Sequence, residues 1–139
     1  MKKLFSTHWK SSTQPRKQRK FVFNAPLHIK GKFLHASLSK DLRNEYSIRS
    51  LRVRKGDKVK ILSGEFKGLV GAVELVNLKK SFVYVEKAER MRKDGTKSFY
   101  PLHASKLQIQ TLNLQDKIRK EKLQNLKKAK AEEKKAQKQ

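Results

Sequence analysis

The densest group of chemically expressive residues in this chain is the five-residue run Gly64-Glu65-Phe66-Lys67-Gly68. Glycine tolerates positive φ and lets another molecule approach the backbone closely, so Gly64 and Gly68 read as the brackets of a tight loop. Phe66 and Lys67 then stand at its tip. An aromatic there can stack on an unpaired nucleobase, and a cation can meet a phosphate. The alternative for Phe66 is a ring folded back on the domain beneath it. A second group is the arginines Arg16, Arg19, Arg43, Arg49, Arg52 and Arg54. Their planar guanidinium suits forked contacts to phosphate oxygens. Both groups favour recognition of a polyanion over bond-making.

Bond-making chemistry has little to stand on. The Gly64–Gly68 run is not a nucleotide-binding P-loop, and Lys97-Ser98 lacks the upstream glycines such a loop needs. His8, His28, His35 and His103 are scattered without metal-ligand spacing, and the absence of cysteine removes thiolate ligands, nucleophiles and disulfides. Most acidic residues have a Lys or Arg nearby and read as local charge balance rather than as an acid–base pair. We therefore expect no enzyme activity, no metal, no cofactor and no small-molecule substrate.

The composition says what the partner must be. Among 139 residues, Lys and Arg number 36 against 12 Asp and Glu, a net charge of +24. A compact domain would repel itself at that charge unless a polyanion neutralised it. Nucleic acid is the first candidate and an anionic membrane surface the weaker one. The excess is +10 over residues 1–50, +8 over 51–111 and +6 over 112–139, so the chain is built to touch polyanion along most of its length. No segment approaches the ~20 apolar residues of a membrane span, so membrane insertion is not expected. Met1-Lys2-Lys3-Leu4-Phe5 starts basic, but Ser6, Thr7 and His8 interrupt at once, unlike a signal peptide.

Three segments must position these residues. Residues 1–50 read as a basic arm that cannot bury a core of its own and orders on RNA. Within it, Ser39 is a candidate N-cap for a short helix through Tyr46, with Leu42 and Tyr46 on one face and Leu38 folded onto the same side. Residues 51–111 read as the folded domain. Val53, Val59 and Ile61 alternate with cations; Val70 to Val76, Phe82 to Val85, Phe99-Tyr100 and Leu107 to Gln110 supply four more strands. Gly71 reads as a bulge or bend in the second strand. Asn77 to Lys80 is a turn, and Lys93-Asp94-Gly95-Thr96 is a hairpin turn. Five short strands with close turns argue for a mainly β fold, a small closed or half-closed barrel. Residues 112–139 read as a basic tail, with a marginal helix near Asp116 to Lys128 docked by its first turns and disorder beyond.

The run from Arg54 to Val73, Arg54-Lys55-Gly56-Asp57-Lys58-Val59 onward through the Gly64–Gly68 loop, resembles the KOW motif of translation and transcription proteins. Gln14-Pro15-Arg16-Lys17-Gln18-Arg19-Lys20, Asn24-Ala25-Pro26-Leu27-His28 and Leu38-Ser39-Lys40-Asp41-Leu42-Arg43 resemble the large-subunit ribosomal proteins of the L twenty-four family, closer to its archaeal than its eukaryotic branch. Arg49 to Asp57, Val83-Tyr84-Val85-Glu86, Asp94-Gly95-Thr96 and Pro101 to Lys106 continue the likeness, which runs from about Gln14 to about Leu114. One departure is Gly31, where relatives often carry a basic residue; Ile29 to Lys32 then contacts RNA less and passes over the barrel through Phe33 and Leu34.

The resemblance implies an SH3-like five-stranded barrel that binds large-subunit rRNA directly near its 5′ end. It further implies an early role in subunit assembly and a cytoplasmic, ribosome-bound place outside the polypeptide exit tunnel. Neighbouring large-subunit proteins, and targeting factors at the tunnel exit, would be its other partners. The expected rRNA contacts in the arm are Arg16, Lys17, Arg19, Lys20, His28, Lys30, Lys40, Arg43 and Arg49. In the domain they are Arg52, Arg54, Lys55, Gly64, Phe66, Lys67 and Gly68, then Lys79, Lys80, Arg90, Lys93, His103 and Lys106. His28 and His103 serve as readily in a turn as on RNA. Two other readings compete. KOW domains also occur in transcription elongation, although usually within longer chains. Net charge alone would also permit a DNA-compacting protein.

Overall fold

The computed structural model describes residues 5, 6, 8 and 12–136, with side chains described only as far as Lys127. The readings of Met1–Leu4 and of the extreme C-terminus lie outside those residues.

Two helices open the described chain. α1 (Pro15–Asn24) starts with proline at its first turn, where the missing N–H costs nothing. Gln, Arg and Lys then propagate it well. Pro26 forces Ala25 into an extended conformation and so separates α1 from α2 (Leu27–Phe33). α1 buries no residue, which agrees with the absence of a core in this stretch. It makes aromatic contacts: Phe21 lies 4.8 Å from Phe5 and 6.2 Å from Phe33, centroid to centroid.

The N-terminal segment turns inward after α2. β1 (His35–Leu38) carries Ala36 and Leu38 into the core, and Leu34 just before it is fully buried. β1 sits inside the sheet, antiparallel to β2 (Ser50–Arg52) and parallel to the last strand. Leu34, Ala36 and Leu38 show the period of two that marks a half-buried strand. Between the strands, α3 (Lys40–Tyr46) is capped by the Ser39 hydroxyl, which accepts from the Leu42 N–H at 3.4 Å. Leu42 packs against the core as its position on the helix requires.

The remaining strands are β3 (Lys58–Ile61), β4 (Val70–Asn77), β5 (Phe82–Val85), β6 (Glu89–Met91), β7 (Lys97–Phe99), β8 (Leu102–His103) and β9 (Leu107–Thr111). A single 3-10 turn, Ala104–Lys106, joins β8 to β9. The main sheet has seven strands in the order β2-β1-β9-β3-β4-β5-β8, while β6 and β7 form a separate hairpin. The mainly β reading holds, but the sheet has seven strands rather than five, and among the described residues no ladder closes it between the end strands β2 and β8. Phe99-Tyr100, expected in the barrel, lies at the end of the separate hairpin instead. Val53 follows β2 and is buried, rather than beginning the strand that holds Val59 and Ile61.

Gly71 is not at a bulge. It pairs in register with Val59, and the register shift of β4 comes later, between Val73 and Leu75. A Cβ on Gly71 would stand 2.7 Å from the Glu86 carbonyl oxygen, so the glycine permits close backbone approach. The last element, α4 (Lys117–Ala136), extends past the helix expected to end near Lys128. No described helix is long and apolar enough to cross a membrane.

Candidate nucleic-acid interface

Two aspartates hold α4 against the domain. Asp57, in the turn before β3, is fully buried, and Arg119 is nearly so. Arg119 donates to both Asp57 carboxylate oxygens, Nη1 at 2.6 Å and Nη2 at 2.8 Å. The same guanidinium donates to the carbonyls of Asn113 and Arg52, at 2.9 and 3.2 Å. Asp57 also accepts the backbone N–H groups of Arg54 and Asn113, each at 2.9 Å. A desolvated ion pair is tolerable only with such full satisfaction. The second aspartate, Asp116, caps α4 by accepting from the Ile118 N–H at 3.0 Å, and it pairs with the Arg54 guanidinium. Charge balance here is tertiary rather than local: Asp57 and Arg119 are 62 positions apart, so nearness in sequence does not reveal the pair.

That docking completes a basic groove of about 520 Å³ between α2, β2 and α4. His28, Arg52 and Arg54, all expected contacts, line it beside Lys32, His35 and Lys122. Gly31 forms part of its wall, where a Cβ would meet the Arg52 guanidinium at 2.8 Å. The glycine thus makes room for a cation, so this stretch lies within a basic surface rather than merely crossing the domain. Partial desolvation pushes the His35 imidazole below its ordinary pKa, helped by the charges of Arg52 and Lys122. Nothing in the sequence around His35, Lys32 or Lys122 marks them as neighbours.

A second groove, about 950 Å³, runs between α1, α2 and the β4–β5 turn. Arg19, Lys30, Lys79 and Lys80 come together on it from three elements. Lys30 Nζ donates to the Lys79 carbonyl at 3.3 Å and ties α2 to the turn. Lys80 is fixed through its backbone N–H, which donates to Asn77 Oδ1 at 3.0 Å. Among the described residues, no acidic side chain lines either groove.

The Gly64–Gly68 loop has the left-handed glycines expected of it, with φ of 101° and 89°. Its tip is more engaged than the spacing suggests. Phe66 is half-buried and packs back on the core, its ring 5.4 Å from that of Tyr100. Arg90 locks the arrangement, donating to Glu65 at 2.6 Å while its guanidinium lies 4.9 Å from the Tyr100 centroid. Lys67 stays exposed. Of the two alternatives for Phe66, the structure adopts the folded-back ring.

The other expected contacts spread over the surface. Arg16, Lys17 and Lys20 are exposed on α1, Lys40 opens α3, and Arg49, Lys55 and Lys106 are exposed in or beside turns. Lys93 lies in the turn of the β6–β7 hairpin. Arg43 is partly committed internally, donating through Nε to the Leu38 carbonyl at 2.8 Å. His103 serves its turn: Nδ1 accepts from the Ser105 N–H at 3.3 Å and caps the 3-10 turn. Among the described residues, no three His, Asp or Glu side chains gather as a metal site.

Comparison with known proteins identifies the family. The family model for the ribosomal proteins called L26 in eukaryotes and L24 in archaea matches residues 12–126. Large ribosomal subunit protein uL24 of Methanocorpusculum labreanum is 50% identical over 109 residues, covering 78% of this chain and 90% of that protein. The protein of the same name from Pyrobaculum islandicum is 44% identical over 118 residues, covering 85% and 96%. With most of the chain matched at such identity, it belongs to the family of eukaryotic L26 and archaeal L24 ribosomal proteins.

Proposed function

We propose that this protein is a non-enzymatic structural constituent of the large ribosomal subunit that binds large-subunit rRNA directly. The observation that carries the reading is the convergence of cations from separate elements on two grooves with no acidic lining among the described residues. Isolated surface lysines need no partner. Cations gathered on one cleft repel one another unless phosphate neutralises them, and the counterions so released supply much of the affinity. The exposed cations of α1, Lys67 and Lys93 extend the same surface.

The finer reading follows the family. The protein binds near the 5′ end of the rRNA, acts early in assembly and lies outside the exit tunnel, in the cytoplasm and ribosome-bound. Neighbouring large-subunit proteins and targeting factors are its further partners. An SH3-like unit is the proposed scaffold. Five consecutive neighbours, β9-β3-β4-β5-β8, support it, with their two outer members joined through the 3-10 turn.

The test is sedimentation of a cell extract at low and high salt, with immunodetection of this protein. Co-migration with the large subunit through moderate salt washes is the expected result. Migration with RNA polymerase, with chromatin or as free protein would overturn the proposal.

A further inference from the structure

The groove between α1, α2 and the β4–β5 turn has a property that simple phosphate binding does not use. Its lining is largely apolar. Val22, Phe23 and Leu27 line it, and Phe23 is 81% exposed. These side chains stand outside the buried core cluster. Arg19, Lys30, Lys79 and Lys80 line the same groove. Lys30 Nζ lies 6.0 Å from the Phe23 ring centroid and donates to the Lys79 carbonyl, so one cation stands by the ring before any ligand arrives.

An occupant must therefore be flat and apolar on one side and anionic on the other. From this charge complementarity we infer that the groove is a binding site for an unpaired RNA nucleotide, its base against Phe23 and its flanking phosphates on Lys30, Lys79, Lys80 and Arg19. This rests on the rRNA-binding reading above and names what one of its two grooves takes. A base within a duplex is stacked and cannot reach an exposed ring, whereas a splayed base can. Val22 and Leu27, exposed in the same groove, add apolar surface beside the ring. The site thus selects looped or bulged RNA over helix, whereas the groove beside α4, lined by Leu51 and Ile118 with the cations and histidines, presents no Phe, Tyr or Trp ring.

The experiment compares wild type with Phe23→Ala and Phe23→Tyr in the full chain. The probes are a single-stranded RNA of about 12 nucleotides, a blunt RNA duplex of the same length and a transcript of the 5′ part of large-subunit rRNA. Phe23→Ala should weaken single-strand binding about 5- to 100-fold while changing duplex binding by less than about twofold, since base–aromatic stacking is removed and phosphate contacts are kept. Phe23→Tyr keeps the ring and should restore wild-type affinity. An exposed side chain is not needed for folding, and unchanged thermal midpoints would confirm that. Two results overturn the inference. Single-strand affinity untouched by Phe23→Ala would show that no base stacks on this ring. An equal loss on strand and duplex would make the effect non-selective. Failure of the broader reading looks different: wild type itself would then prefer the rRNA transcript no more than a duplex DNA of equal length.

Discussion

Arg119 of the C-terminal helix and Asp57 of the turn before β3 form a fully desolvated, two-pronged ion pair, at 2.6 and 2.8 Å, across 62 positions of sequence. The pair fastens the tail to the sheet and also builds one wall of a basic groove, because Arg119 and Lys122 lie on that helix. Removing one partner leaves the other charge buried alone. Arg119→Ala is expected to cost about 3–5 kcal/mol. Arg119→Lys should cost nearly as much, since an ammonium cannot reproduce the fork. Asp57 also holds two backbone N–H groups, so combining Asp57→Leu with Arg119→Met strands those donors and recovers only part of the loss. Denaturant midpoints of the single variants and the double variant test this. Full recovery in the double variant would show that the backbone bonds to Asp57 carry no weight.

The same pair shows where sequence and structure part. The helix over the tail is legible from composition, as is its docking by the first turns. Its face is not, because Arg119, Leu123 and Leu126 form the i, i+4, i+7 stripe with a cation in the leading position. Leu123 is buried and Arg119 nearly so, while the neighbouring Ile118 is 73% exposed. An apolar count puts the wrong residue inward. β3, β4, β5 and β9 are legible from alternation or from apolar, β-branched runs, whereas the short β6 and β8 carry no such signal and Phe99 falls in the separate hairpin. β1 is not, since Leu34, Ala36 and Leu38 lie in a segment dominated by charge. For the interface, residue type finds the cations. Only tertiary structure separates Arg19 and Lys79, which share a groove, from Phe66 and Arg90, which brace a loop.

Two glycines with similarly crowded neighbourhoods should respond oppositely. At Gly71 an added Cβ meets the Glu86 carbonyl at 2.7 Å, and backbone held in a sheet cannot step aside. Gly71→Ala should therefore destabilise by about 1–3 kcal/mol. At Gly31 the obstruction is the far end of Arg52, which can swing away. Alanine also favours the helix by up to about 1 kcal/mol, so Gly31→Ala should be neutral or mildly stabilising. It should still weaken RNA binding by displacing the guanidinium from the groove. Thermal unfolding of both variants, with RNA affinity for the second, separates the two effects. Comparable destabilisation at both sites would contradict this account.

His35 should make RNA binding depend on pH. In the free protein, burial with Arg52 and Lys122 holds its pKa below the ordinary value. The unfolded chain thus takes up the proton first, and this residue's contribution to stability declines as pH falls through the ordinary histidine range. His28, Lys32 and Arg54 face the same groove, and no carboxylate among the described residues lines it. A phosphate seated there reverses the local field and favours the imidazolium. Binding then takes up a proton, and affinity at fixed salt rises as pH drops from about 7.5 to about 6. His35→Gln should reduce that rise. Identical pH slopes for wild type and variant would show that no phosphate occupies this groove.

Truncation should divide the N-terminal segment into a part that binds and a part that folds. α1 buries no residue, so a chain lacking residues 1–24 keeps every strand and the whole core. It loses Arg16, Lys17, Arg19 and Lys20, among others. Every phosphate that goes unneutralised flattens the dependence of log affinity on log salt by about 0.7–0.9. Four such phosphates therefore lower the slope by roughly 3, with weaker binding at low salt and a smaller deficit at high salt. A chain lacking residues 1–50 instead loses β1, with Leu34, Ala36 and Leu38, and leaves β9 without its parallel neighbour. It should fail to fold cooperatively. Circular dichroism melts and salt-titrated RNA binding decide both points. A cooperative, fully stable protein lacking residues 1–50 would mean that β1 is dispensable to the sheet. An unchanged salt slope in the shorter deletion would mean that the cations of α1 face solvent rather than phosphate.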